Sequence, residues 1–87
     1  MELRRPVMAG TTGSNDIQIE LSPCKDGIQI QLESVMKYLY EDSIRQTIHE
    51  MLQQFGVEHA LVKAQDIGAL DYTIRARMET AIKRAAQ

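Results

Sequence analysis

Two serines stand where a hydroxyl group could be chemically modified. Ser14 lies between Gly13 and Asn15, in a stretch of Gly, Thr, Ser and Asn that begins at Ala9. These residue types favour turns over regular structure, so a modifying enzyme can reach the hydroxyl. A serine that accepts a phosphodiester needs no activating base in its own chain, because the transferase supplies one. By itself, the stretch is equally typical of an unmodified linker.

Ser43 is the second candidate, in the sequence Asp42-Ser43-Ile44. This motif resembles the Asp-Ser-Leu attachment site of the four-helix acyl carrier proteins of fatty-acid synthesis. Those proteins are all helical, whereas residues 17–33 here alternate with a period of two, which is typical of strands. Ser43 followed by Gln46 is also a capping-box pattern, so a helix that begins at Ser43 explains the motif without any modification.

Other reactive side chains do not form a recognisable catalytic or metal-binding motif. Cys24 is the only cysteine and follows Pro23, which favours a turn rather than a nucleophile. His49 and His59 are ten positions apart with no further ligand at metal-binding spacing. The sequence therefore predicts neither catalytic residues nor a metal site.

The last third of the chain is rich in basic residues. Glu79 is four positions from both Arg75 and Lys83, which predicts a salt-bridged, solvated helix face. A docking surface for a partner or an anionic cofactor is the alternative. The basic residues in question are Arg75, Arg77, Lys83 and Arg84.

Length and composition limit the classes of function. With 87 residues the chain predicts one domain, residues 1–87, and its net charge of −2 provides no long-range field for nucleic acid. A single cysteine cannot form an internal disulfide, which favours a reducing, cytoplasmic setting. No apolar run approaches the about 20 residues needed to cross a bilayer, and the start of the chain has no signal-peptide core.

The hydrophobic periodicity predicts five elements behind a mobile, exposed segment of residues 1–15. Ile17 to Leu21 and Ile28 to Leu32 alternate as two strands, and the loop between them predicts an antiparallel hairpin. A helix follows up to Phe55 and Gly56, with residues 34–40 either extending the strand or forming a separate short helix. A third strand contains Ala60-Leu61-Val62 and would allow self-association if it lies at an edge of the sheet. A second helix runs from Leu70 to the C-terminus.

This order, β-β-α-β-α, predicts an α+β fold. In it, a three-stranded sheet with an N-terminal hairpin packs against two helices on one face.

Several segments taken together resemble the gamma subunits of citrate lyase, the acyl carrier proteins of that enzyme. The resemblance begins with Ala9-Gly10-Thr11 and Ser14 through Ile17, and continues in Gly27-Ile28-Gln29-Ile30 and Phe55-Gly56-Val57. It ends with Gly68-Ala69-Leu70-Asp71, Ile74-Arg75-Ala76-Arg77 and Thr80-Ala81. The family usually has Glu-Ser-Ser-Asp at its modification site, where this chain has Gly13-Ser14-Asn15-Asp16. The first serine of the family's pair, the one that is modified, is thus present as Ser14.

The resemblance implies that Ser14 bears a 2′-(5″-phosphoribosyl)-3′-dephospho-coenzyme A arm through a phosphodiester bond. It implies that a transferase attaches the arm. The arm's thiol would carry acetyl and citryl groups between the alpha subunit, which exchanges them, and the Mg²⁺-dependent beta subunit, which cleaves citryl thioester. The chain itself would be a carrier and not an enzyme. Asp16 and Asp66 are candidate partner contacts, with roles in turns as the alternative.

Two other functions fit the same residues. One is the carrier subunit of a related enzyme such as malonate decarboxylase, which uses the same kind of arm. The other is an unmodified domain that binds protein or RNA.

Overall fold

The computed structural model describes residues 1–36 and 38–87 in full, and Lys37 only as part of its helix. The fold is of the α+β class, as predicted, and consists of four strands and two helices. Their bounds, in chain order, are β1 Val7–Gly10, β2 Ile17–Ser22, β3 Ile28–Ser34, α1 Lys37–Gln54, β4 Ala60–Asp66 and α2 Asp71–Ala86.

The sheet has four strands in the order β1-β2-β4-β3, so the predicted three-stranded sheet is wrong. β2 pairs antiparallel with β1 and with β4, whereas β3 pairs parallel with β4. The predicted hairpin of β2 and β3 is also wrong, because β4 lies between these two strands. Helix α1 returns the chain to the start of β3, and a strand that follows such a crossover runs parallel to the one before it.

The first strand lies within residues that the sequence predicts to be a mobile segment. Val7–Gly10 forms the edge strand β1, and Leu3 ahead of it is buried. The Arg4 amide donates to the carbonyl of Ala85 at 2.8 Å, and the N-terminal amine donates to the carbonyl of Gly56 at 2.9 Å. The assignment of residues 1–15 to a segment without regular structure is therefore wrong. Ser14 lies between two paired strands, not ahead of the first one.

The alternation in β2 and β4 places one face of the sheet in the core. Ile17, Ile19 and Leu21 are fully buried, and the partners of the last two are Ala64 and Val62. Burying a side chain of this size stabilises the fold by about 1.5–3 kcal/mol. The opposite face carries exposed polar residues, so both helices cover the same face, as predicted. The core residues of α2 are Ile74, Met78, Ala81, Ile82 and Ala85.

Helix α1 begins earlier than its apolar pattern predicts. Its first residue is Lys37 and its N-cap is Met36, which makes no side-chain capping hydrogen bond. Ser43 therefore lies inside the helix, and the predicted capping box is wrong. The predicted C-terminus is confirmed, since α1 ends at Gln54 and Gly56 has a positive φ of 66°. No helix in the described part of the chain is both long and apolar enough to cross a membrane.

Candidate functional site

Ser14 lies at the tip of the turn that joins β1 to β2. The Asp16 amide donates to the Gly13 carbonyl at 3.2 Å, so Ser14 and Asn15 are the two central residues of a β-turn. Asn15 has a φ of 63°, a left-handed conformation that asparagine tolerates better than most residues. The turn-forming residue types thus produce a turn that holds Ser14 away from the rest of the domain.

The hydroxyl of Ser14 is free to react. The residue is exposed, and its side chain takes no part in the hydrogen bonds of the turn that join described residues. No base within this turn is bonded to the hydroxyl and would activate it. An enzyme that modified this serine would have to bring its own base.

The carboxylate of Asp16 holds both ends of the turn. It accepts from the Thr11 hydroxyl at 2.7 Å and from the Ile17 amide at 2.7 Å. The guanidinium of Arg77, on α2, forms a bidentate pair with it at 3.0 and 2.9 Å. The hydrogen bonds from Arg77 hold the pKa of Asp16 well below its usual range, with smaller contributions from Thr11 and Ile17, and against the opposing effect of burial.

Two backbone hydrogen bonds attach the turn to the chain that leaves β4. The Asn15 amide donates to the Ile67 carbonyl at 2.7 Å, and the Ile67 amide donates to the Asp16 carbonyl at 2.9 Å. The antiparallel pairing of β2 with β4 thus continues into the turn. Ser14 is displayed on a braced turn and not on a loose segment.

Asp66 lies next to this turn but is buried, with 1% of its surface exposed. It accepts from the Ser34 hydroxyl at 2.8 Å and from the amides of Ala69 at 2.9 Å and Gly68 at 3.3 Å. These bonds shape the connection from β4 to α2. Asp16 and Asp66 therefore stabilise turns, which is the alternative to partner contacts that the sequence offered. Their carboxylates form hydrogen bonds within the chain.

The other sequence candidates lie apart from any assembled site. Ser43 is exposed inside α1, and His49 is exposed on the same helix. Cys24 and His59 line one shallow groove with the first three residues of the chain. Among the residues that the structure describes, no three His, Cys, Asp or Glu side chains are grouped so that they could hold a metal ion.

The basic side chains of α2 are bonded within the chain. Arg75 donates to Asp71 at 2.7 Å and to Glu50 at 2.8 Å, in place of the expected pair with Glu79. Lys83 pairs with Glu79 at 3.2 Å, as predicted.

Arg84 donates to the Met8 carbonyl at 3.1 Å, which connects α2 to β1. The structure therefore gives no support to a basic docking face on this helix. Sequence reasoning missed that Arg77 supports the turn of Ser14, and the two residues that pair, Asp16 and Arg77, are 61 positions apart.

Comparisons with known proteins agree on one family. A family model described as malonate decarboxylase delta subunit (MdcD) matches residues 4–85. The citrate lyase acyl carrier protein of Lactobacillus helveticus is 46% identical, and the match covers 100% of this chain and 90% of the relative. The protein of that name from Halothermothrix orenii is 39% identical, with 100% and 93% covered.

A solved structure has the same fold. A chain of a Pseudomonas malonate decarboxylase hetero-tetramer in complex with malonate has a TM-score of 0.66 and 24% identity, with 98% of this chain and 92% of that chain covered.

The family model and the relatives define the class of this protein as a small carrier protein. The chain belongs to the family of acyl carrier proteins that includes the citrate lyase carriers. The relatives are named acyl carrier proteins, so the chain is a carrier and not itself an enzyme.

Proposed function

We propose that this chain is the acyl carrier subunit of a cytoplasmic citrate lyase and that Ser14 bears its prosthetic arm. The arm is 2′-(5″-phosphoribosyl)-3′-dephospho-coenzyme A, joined through a phosphodiester bond, and its thiol carries acetyl and citryl groups as thioesters. The partners are the transferase that attaches the arm and the alpha and beta subunits, which turn citrate into acetate and oxaloacetate. The observation that carries the proposal is the free Ser14 hydroxyl at the tip of a braced turn.

The residues around Ser14 fit a large covalent group. Its neighbours Gly13 and Asn15 are small and exposed, so an enzyme's active site can close over the hydroxyl. The nearby Asp16 carboxylate would repel a phosphodiester if it were unpaired, but Arg77 neutralises it. A negatively charged linkage at Ser14 is thus tolerated.

Because the turn is held in place, we expect the arm to supply the movement that reaches each partner. Hydrogen bonds from Arg77 and Ile67 hold the backbone beside Ser14, so the protein contributes a fixed starting point. Tethering the acyl group in this way replaces a bimolecular encounter by an intramolecular one, which raises its effective concentration at each partner.

The first prediction concerns the site of attachment. The chain is produced in cells that make the arm and its transferase, and its intact mass is measured with peptide mapping. The wild type is expected to gain the mass of the arm on the peptide that contains Ser14, and Ser14→Ala is expected to lose it completely. Ser43→Ala, which removes the other candidate, is the matched control and is expected to load fully. An arm mapped to Ser43, or a wild type that stays bare, contradicts the proposal.

A malonate decarboxylase carrier is the second candidate, because the matching family model has that description. Identities of 39% and 46% to citrate lyase carriers favour the first candidate. The loaded protein decides between them when it is offered to the catalytic subunits of each enzyme. Turnover of citrate in the presence of citrate lyase subunits is expected. Turnover of malonate with malonate decarboxylase subunits, without any turnover of citrate, would assign the chain to the second enzyme.

A further inference from the structure

A run of apolar side chains is exposed where β3 leads into α1. Tyr38 is 97% exposed, Leu39 73% and Val35 64%, and Met36 and Tyr40 are also exposed. We call these five residues the apolar segment. Single exposed apolar side chains are common on protein surfaces, but five within six successive positions, interrupted by Lys37, are typical of an interaction site.

The apolar segment lies at the same end of the sheet as the turn of Ser14. The Val35 amide donates to the Asp66 carbonyl at 3.1 Å, and the next residue, Ile67, accepts from the Asn15 amide at 2.7 Å. One shallow groove has Thr12 and Val35 among its lining residues, together with Asp66 and Ile67. The segment and the turn are thus held by successive residues at the end of β4 and adjoin a common groove.

Acidic residues flank the apolar segment on both sides. Glu33 precedes it, and Glu41 and Asp42 follow it. Glu41 pairs with Arg45 at 3.5 Å, whereas Glu33 and Asp42 are exposed. A protein surface that complements this one has an apolar centre and a basic rim.

We propose that the apolar segment is the docking surface for the catalytic subunits that receive the arm, and that these subunits meet it with a surface that has an apolar centre and a basic rim. This inference rests on the proposed carrier function at Ser14. The segment and Ser14 lie at the same end of the sheet, so a partner seated on the segment would have the attachment point at the edge of its interface. A second copy of this chain is a poorer occupant, because it would cover the groove lined by Thr12 and Val35, at the end of the sheet from which the arm must reach its partners.

The test uses the double variant Tyr38→Gln/Leu39→Gln. Glutamine favours helices about as well as the residues replaced and removes the apolar surface, and both side chains are exposed, so the fold is expected to persist. The variant and the wild type, each with and without the arm, are titrated into purified alpha and beta subunits of Lactobacillus helveticus citrate lyase by calorimetry. Met8→Gln, at an exposed position on the opposite edge strand β1, is the matched control.

The double variant is expected to bind about tenfold more weakly, since two exposed aromatic and aliphatic anchors are lost. In citrate turnover, the half-saturating concentration of the carrier is expected to rise by the same factor, with the rate at saturation unchanged. Met8→Gln is expected to match the wild type in both assays. Intact mass is measured first, so that a bare Ser14 in the wild type counts against the carrier function and not against the docking surface.

Three results overturn the docking surface. Equal affinity of a fully loaded double variant and the wild type is the first. The second is a slower attachment of the arm with unchanged affinity for the catalytic subunits, which would assign the segment to the transferase. The third is a wild-type dimer in sedimentation velocity that the double variant lacks, which would assign it to a second copy of the chain.

Discussion

The Asp16 carboxylate joins three parts of the molecule through one side chain. It binds Thr11 on one side of the turn, Ile17 at the start of β2, and Arg77 on α2. Its side chain is only 13% exposed, and both carboxylate oxygens accept hydrogen bonds from within the chain. We infer that Asp16 is a positioning residue for Ser14 that acts through the turn.

Asp16→Asn tests this role. The variant loses the charge-assisted pair, so its free energy of unfolding at pH 7 is expected to fall by about 1 kcal/mol. The expected loss is modest because water screens the partly exposed Arg77. Attachment of the arm is expected to slow, since the turn is no longer held. Asp26→Asn, at an exposed aspartate in the loop between β2 and β3, is the control. Stability is measured by urea denaturation, and loading by intact mass over time.

The pH dependence of the same variant gives the sign of the effect. Because the folded pKa of Asp16 lies below its usual value of about 3.9, the charged pair stabilises the fold above that pH and loses its contribution as the pH falls further. The difference in stability between the wild type and Asp16→Asn is therefore expected to shrink at pH 3. A difference that is the same at pH 3 and pH 7 would mean that the carboxylate charge contributes nothing.

At the scale of the elements, Gly10 fixes the end of β1. Its φ is 84°, and a Cβ there would clash with the Ile17 carbonyl oxygen. Gly27 has nearly the same φ, 83°, with no atom within 4 Å of such a Cβ. Substitutions at the two glycines therefore allow the effect of a steric clash to be separated from the effect of backbone strain.

Gly10→Ala is expected to destabilise the domain by about 3 kcal/mol or more, and Gly27→Ala by about 1 kcal/mol, because only the first combines strain with a backbone clash. Urea denaturation of both variants measures the difference. Equal losses at the two positions would mean that β1 and the turn move aside without cost, and that the turn is held less firmly than its hydrogen bonds indicate.

The elements themselves follow from the sequence better than their arrangement does. Alternating apolar residues predict β2 and β3 correctly because each strand packs one face against the core, and the stripe of α2 is as clear. Strand β1 is only four residues long, too short for its alternation to be recognised. Which strands become neighbours depends on the α1 crossover, and a local pattern reports the face of a strand but not its partner.

For the candidate site, too, the local features follow from the sequence and the long-range contacts do not. The turn-forming types around Ser14 predict an accessible serine, and this information is local. The Asp16–Arg77 pair and the bonds between the turn and Ile67 join residues that are distant in sequence, so no spacing rule reveals them. What the sequence missed is therefore the support of the site.

At the scale of the whole molecule, the central strand and the attachment turn form one structural unit. β4 is paired on both sides, and its continuation at Ile67 holds the Asn15 amide at 2.7 Å. Amide hydrogen exchange is expected to be slowest in β2 and β4, and the Asn15 amide is expected to exchange about a hundredfold more slowly than that of Ser14. NMR exchange measurements on the bare and the loaded chain provide the comparison. If the Asn15 amide exchanges as fast as an unprotected amide, residues 11–16 open freely and movement of this loop helps the arm to reach each partner. If the amide is protected, the movement comes from the arm.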